Sequence, residues 1–124
     1  MSYTISISDS RKFLRVRIEG DTSAASAREW SAELREVSRT QGIRRLLVDV
    51  RSSRNVSTVL ENYQYAYRST RDLAWEKTVR SAILASPEDR SHDMIETFMR
   101  NACFNVRIFT DESAAIAWLE DDAR

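Results

Sequence analysis

Alternation of apolar and polar residues in two segments near the N-terminus predicts two β-strands. The segments are residues 3–8 and 13–18, and the polar residues 9–12 between them are typical of a hairpin turn. Apolar, β-branched runs at residues 43–50, 79–85 and 105–109 predict three more strands. Because Leu46, Leu47 and Val48 are apolar without alternation, residues 43–50 are predicted to form a central parallel strand that is buried on both faces.

Apolar residues spaced three or four positions apart predict helices between these strands. In the first helix these residues are Ala27, Trp30, Leu34 and Val37. Gly42 is expected to end this helix, because glycine readily adopts the left-handed conformation that follows a helix. The second helix, residues 56–75, is expected to bury a face that consists of Val59, Leu60, Tyr63, Tyr67 and Leu73.

Capping residues predict where the last two helices begin. Ser86, followed by Pro87 and two acidic residues, is expected to start the third helix. Asp111 and Glu112 place acidic side chains at the positive end of the fourth. The predicted order is ββαβαβαβα, which is typical of an α/β fold with a mostly parallel sheet.

The composition of the 124 residues is that of one globular domain spanning residues 1–124. The 19 basic and 19 acidic residues give zero net charge, so nucleic acid is not an expected partner.

No apolar run approaches the roughly 20 residues that span a bilayer, and no signal peptide is recognisable, so we expect a cytoplasmic protein. Cys103 is the only cysteine and is expected to be a buried, inert thiol.

Two segments and the element order resemble the SpoIIAA-like fold: Leu46-Leu-Val-Asp-Val50 and Arg107-Ile-Phe-Thr-Asp-Glu-Ser-Ala-Ala-Ile-Ala-Trp-Leu119. This group includes STAS domains, which are anti-sigma-factor antagonists and transporter tails, and small uncharacterised bacterial proteins. The resemblance implies a mixed sheet of about five strands, with the first antiparallel at one edge, and four helices mostly on one face. The antagonists are phosphorylated on a Ser or Thr after the strand equivalent to residues 43–50, a position occupied here by Ser52 and Ser53 without the antagonists' glycine. Other members resemble lipid-binding modules, which implies a hydrophobic pocket as an alternative.

The loops at residues 51–55 and 86–92 are expected to lie side by side, because both follow parallel strands. Together they supply Arg51, Ser52, Ser53, Arg54, Arg90 and His92. These side chains, beside two predicted helix N-termini, predict a partner-binding or anion-binding site, such as one for a phosphoserine. In the alternative interpretation the serines cap turns and the arginines are solvated.

A second candidate surface lies on the predicted helix at residues 56–75. Trp30, Tyr63 and Tyr67 are expected in the core, whereas Tyr65 points elsewhere. If Tyr65 and Trp75 are exposed, they suit an interface with another protein or with a second copy of this chain.

The sequence predicts neither an enzyme nor a cofactor. His92, the only histidine, is expected to be exposed in the first turn of the third helix. With Glu96 it supplies only two of the three or four ligands that a metal site needs, so no metal is expected. Cys103 lies three helical turns away from His92, too far for a nucleophile and its base.

Two functions from different classes remain. The first is a non-catalytic cytoplasmic protein-interaction or regulatory module that uses residues 51–55 and the tyrosine-bearing helix. The second is a carrier or sensor of a small hydrophobic or anionic ligand, held between the sheet and the helix at residues 56–75.

Overall fold

In the computed structural model, which describes residues 1–122, five strands form one sheet in the order β1-β2-β3-β4-β5. The strands are β1 (Ser2–Ile7), β2 (Leu14–Glu19), β3 (Arg45–Ser52), β4 (Arg80–Leu84) and β5 (Asn105–Phe109). β1 is antiparallel to β2, and every other neighbouring pair is parallel. The predicted element order and the antiparallel edge strand are confirmed.

The helices are α1 (Ala24–Gln41), α2 (Val59–Gln64), α3 (Thr70–Asp72), α4 (Asp93–Asn101) and α5 (Glu112–Glu120). A π-helical segment, Tyr65–Ser69, joins α2 to α3, and we call residues 59–72 together the second helical region. Ser23 caps the start of α1. Gly42 ends it with a φ of 67° in the left-handed region, as the sequence predicts. Within residues 1–122, no helix has the length and apolar character needed to cross a membrane.

The start of α4 differs from the prediction. Ser86 does not begin the helix, because its hydroxyl donates a hydrogen bond to the backbone carbonyl of Arg51 at 3.1 Å. Asp89 then accepts from the backbone N–H of Ser91 at 2.8 Å, which closes a turn. Residues 86–92 therefore form a loop, and α4 begins at Asp93.

The end of α4 also differs from the prediction. Cys103 was expected to be buried but is exposed. It has a left-handed φ of 71° directly after the helix, whereas its neighbours Ala102 and Phe104 are buried. The turn directs the thiol outward, because the two flanking side chains occupy the core.

Helices cover both faces of the sheet and divide the core into two layers. The main layer lies under α1, the second helical region and α4, and includes Leu34, Leu46 and Ile83. The smaller layer lies under α5 and includes Leu47 and Leu119. β3 is therefore buried on both faces, as its uninterrupted apolar run predicts.

Two arginines at the start of adjacent strands cap the C-terminal end of α5. Arg45 and Arg80 are paired in the sheet register. Arg80 is buried, and its Nη1 donates to the carbonyls of Trp118 and Asp121, both at 2.8 Å. Arg45 donates to the carbonyl of Leu119 at 3.0 Å. Both side chains supply donors to carbonyls at a helix end, where such groups have no partner within the helix.

The buried carboxylate of Asp49 is held by two arginines on the α5 side of the sheet. Arg51 donates to both carboxylate oxygens at 3.0 and 2.7 Å, and Nη1 of Arg15 lies 3.6 Å away. Glu112 pairs with both arginines, at 2.9 Å from Arg15 and 3.1 Å from Arg51. Burial alone would raise the pKa of Asp49, but the hydrogen bonds from Arg51 and the positive charges of Arg51 and Arg15 lower it below its usual value.

Arg80→Met should lower the free energy of unfolding by about 2–4 kcal/mol, because the carbonyls at the end of α5 lose charge-assisted hydrogen bonds. Arg45→Met is the matched control, and its effect should be smaller because that side chain is 27% exposed. Urea unfolding at pH 7 measures both. Equal losses in the two variants would contradict the assigned role of Arg80.

Asp49→Asn should destabilise the protein at pH 7 and much less at pH 3. Because folding lowers the pKa of Asp49, its carboxylate stabilises the fold fully above the unfolded pKa of about 3.9. This stabilisation is lost as the pH falls through the folded pKa. Urea unfolding of both proteins at several pH values measures the difference, with the exposed Asp9→Asn as control. A difference that stayed constant down to pH 3 would contradict the prediction.

Candidate functional site

The loops after β3 and β4 lie side by side, as the sequence predicts. Besides the contact between Ser86 and Arg51, the backbone N–H of Asn55 donates to the Ser91 hydroxyl at 3.0 Å. A surface cleft of about 310 Å³ lies between the loops. Four of the six predicted site residues line it: Arg51, Ser52, Ser53 and Arg54. Of the two serines, Ser52 is exposed, whereas Ser53 is buried and its hydroxyl has no hydrogen-bond partner among the described residues.

The other two predicted site residues lie outside this cleft. Arg90 is exposed and pairs with Asp93 at 2.6 Å. His92 is only 4% exposed, so the expectation of an exposed histidine is wrong. Its Nε2 lies 2.9 Å from the carbonyl oxygen of Ser53 and 3.5 Å from the carboxylate of Asp89. His92 is buried because the loop at residues 86–92 folds back against the end of β3, and it lines an interior cavity instead.

Acidic side chains outnumber basic ones in the surface cleft. Its arginines, Arg51 and Arg54, face three carboxylates: Asp21, Glu88 and Asp89. Burial alone would raise the pKa of Asp89, but hydrogen bonds from Ser91 and the positive charge of nearby Arg54 help to lower it. Arg51 is already paired with buried Asp49. The cleft therefore attracts an anion less strongly than the arginines in the sequence suggest.

The second helical region presents apolar side chains to solvent and small or polar ones to the interior. Val59, Leu60 and Tyr63 are 58%, 62% and 48% exposed, so the prediction that they are buried is wrong. Asn62 is buried instead, and its Nδ2 donates to the carbonyl of Thr58 at 2.9 Å. Three further buried residues continue this inner face: Ala66, Ser69 and Thr70.

A π-helical segment, Tyr65–Ser69, also interrupts the α-helix that the sequence predicts. A π-helical turn contains more residues than an α-helical turn, so the side chains after it are rotated relative to the α-helical period. Tyr67 is partly buried against the core, as predicted, although Tyr63 four residues earlier is not. The sequence pattern assumed one uninterrupted α-helix from residue 56 to residue 75, whereas the region begins at Val59 and contains this π-helical segment. The buried residues still recur at helical spacing, so the prediction was wrong about which face is buried.

Tyr65 and Trp75, which would suit an interface if they were exposed, are partly buried and point into the protein. The Tyr65 hydroxyl and the Trp75 Nε1–H each donate to the hydroxyl oxygen of Ser31 on α1, both at 2.8 Å. Burial raises the pKa of Tyr65 to about 12. Both side chains therefore serve the contact between α1 and the second helical region rather than an outer surface.

A cavity of about 120 Å³ lies between the sheet and this helical region. Val48 and Ile83 line it from the sheet, Trp30 and Ser31 from α1, and Met99 from α4. The Nε1–H of Trp30 is buried and has no hydrogen-bond acceptor among residues 1–122. Sequence reasoning expected a pocket at this place but missed the residues on the helical side. Their only signal was the helical spacing of small and polar residues at Asn62, Ala66, Ser69 and Thr70.

Three solved structures are similar to this chain. The unphosphorylated form of the anti-sigma factor antagonist SpoIIAA has a TM-score of 0.58 at 13% identity, over 95% of this chain and 97% of that one. An uncharacterised DUF3478 protein with a SpoIIAA-like fold from Shewanella loihica PV-4 has a TM-score of 0.57 at 20% identity, over 95% and 92%. The phosphorylated form of the Bacillus cell fate determinant SpoIIAA has a TM-score of 0.54 at 11% identity, over 94% and 99%.

These identities are low, so the likeness to the solved structures shows the fold alone. Comparison with curated proteins gives no significant match. A family model described as SpoIIAA-like matches residues 13–120, which is most of the sequence. The chain therefore belongs to the SpoIIAA-like family.

Proposed function

We propose that this chain is a non-catalytic cytoplasmic protein-interaction module that binds its partner through the outer face of the second helical region. The observation that carries this proposal is the exposure of four large apolar side chains: Val59, Leu60 and Tyr63 in this region, and Val56 in the loop that precedes it. Each is between 48% and 62% exposed. Contiguous exposed apolar side chains mark interaction sites on soluble proteins. Helix residues spaced in this way are the usual anchors for an apolar groove on another protein.

The loop at residues 51–55 adds a polar border to this surface. It leads directly into Val56, and Ser52 and Arg54 within it are exposed. Protein interfaces commonly combine an apolar centre with a polar rim. The family supports the proposal, because one protein of this fold is an anti-sigma factor antagonist.

Leu60→Asp should weaken partner binding at least tenfold, because it places a charge at the centre of the apolar face. A photo-crosslinking residue at Tyr63 should first trap the partner in cells, and the dissociation constant is then measured with the purified partner. Because Leu60 is 62% exposed, the fold should be retained, with a change of about 0.5 kcal/mol or less in the free energy of unfolding.

Ala114→Asp is the matched control, because it puts the same charge on an exposed position of α5, on the opposite face of the sheet. Equal weakening by both substitutions would contradict the assigned surface. If only a second copy of this chain is trapped, the outer face is the interface of a homodimer and not a site for another protein.

The interior cavity favours a second candidate function, a carrier or sensor of a small ligand. Its lining contains no Asp, Glu, Lys or Arg among the described residues, so a hydrophobic ligand is favoured over an anionic one. Native mass spectrometry of protein purified gently from its own cells should then show an additional bound mass. Only ligand-free protein would count against this function.

A further inference from the structure

The interior cavity has the dimensions of a site for a small ring. Its volume is about 120 Å³, and the cavity is lined mainly by apolar side chains from both the sheet and the helices. For comparison, an engineered apolar cavity of about 150 Å³ stays dry and binds benzene. The cavity here is somewhat smaller, so it suits a five-membered ring better than a larger one.

The charge of the lining restricts the ligand. No Asp, Glu, Lys or Arg lines the cavity among the described residues, and Tyr65, whose pKa burial raises to about 12, is neutral. The Nε2 of His92 is already occupied by the carbonyl of Ser53. A carboxylate or phosphate would lose its hydration here without gaining a cationic partner, which is strongly unfavourable. The ligand is therefore neutral.

Two hydrogen-bond donors beside the cavity have no acceptor among the described residues. Trp30 contributes an Nε1–H that has no acceptor within the described part of the chain. Tyr65 and Trp75 both donate to Ser31, so both lone pairs of the Ser31 oxygen are used, while its own hydroxyl hydrogen has no acceptor among residues 1–122. Buried donors without acceptors are unfavourable, and a ligand oxygen would remove that cost.

We infer that the cavity binds a small neutral ligand with an apolar body and one acceptor oxygen, of the ketone, ester or ether class, which accepts a hydrogen bond from Trp30. This inference rests on the second candidate function and names its ligand class. It is independent of partner binding at the outer face of the helix. The acceptor oxygen meets the unpaired indole N–H, and the apolar body contacts side chains such as Val48 and Ile83.

Three probes of similar shape test the class: cyclopentanone, its hydrocarbon isostere methylenecyclopentane, and the anion cyclopentanecarboxylate. The chain has three tryptophans, whose indole N–H signals are separate reporters in a ¹H–¹⁵N spectrum. Trp30 and Trp75 line the cavity, whereas Trp118 packs against Phe109 on the opposite face of the sheet and is an internal control. Titration of each probe into the full chain gives a dissociation constant for each.

Cyclopentanone should shift the indole signal of Trp30 most and leave that of Trp118 unchanged. The hydrocarbon should bind about tenfold more weakly, which corresponds to the loss of one hydrogen bond, and the carboxylate should not bind. Trp30→Phe should reduce cyclopentanone affinity to that of the hydrocarbon. Trp118→Phe should leave cyclopentanone affinity unchanged, and so should Leu60→Asp, which disrupts only the outer face.

The remaining outcomes overturn the inference in distinguishable ways. Equal affinity for ketone and hydrocarbon would refute the claim that an acceptor oxygen of the ligand is bound, but the cavity would remain a ligand site. Binding of the carboxylate as tightly as the ketone would refute the claim that the ligand is neutral. If none of the probes moves the Trp30 or Trp75 signals, the inference and the second candidate function both fail. If Trp30→Phe does not fold, the shifts of the Trp30, Trp75 and Trp118 indole signals in the unmodified chain still test the inference.

Discussion

The two hydrogen bonds that converge on the Ser31 hydroxyl are the interaction on which the candidate site depends. Tyr65 donates from the start of the π-helical segment, and Trp75 donates from beyond the end of α3. Both therefore attach the same stretch of chain to one atom of α1, and that atom belongs to a side chain that is only 1% exposed. The contact is polar and directional rather than a close apolar packing, and the cavity of about 120 Å³ lies beside it.

This attachment determines which side of the second helical region faces inward. The inward side carries Asn62 and Thr70, and each satisfies its polar group with a backbone carbonyl, of Thr58 and Ala66 respectively. The apolar side chains of Val59 and Leu60 remain outside as a consequence. Conflicts between a local sequence pattern and the final fold are expected where function requires them. Both candidate functions use this same helical region, one through its outer face and one through its inner face.

On the other side of the sheet, charged residues serve the fold. Arg80 caps the end of α5, and the carboxylate of Asp49 holds Arg15 and Arg51. Such pairs stabilise a buried carboxylate only when its hydrogen bonds are satisfied, and Arg51 satisfies both oxygens of Asp49. Arg51 therefore resembles a ligand-binding residue in the sequence but is an ion-pair partner in the fold. The remaining exposed arginine of that loop is Arg54.

Local patterns in the sequence were sufficient for the order and type of the elements. The strand Asn105–Phe109 and the caps at Gly42 and Asp111 are found where the sequence predicts them, because alternation and capping depend on neighbouring residues. The adjacency of the loops at residues 51–55 and 86–92 also followed, because both come after parallel strands. Four of the six predicted site residues accordingly share one cleft.

Only the tertiary structure decided which side chains are buried at the site. Tyr65 and Trp75 lie 34 and 44 residues from their common acceptor Ser31, and no local pattern contains such a contact. The burial of His92 likewise depends on the carbonyl of Ser53, 39 residues away. The sequence by itself therefore determined the order and type of the strands and helices, since these follow from short-range periodicity. Hydrogen bonds between distant residues determined the cavity and the exposed apolar face.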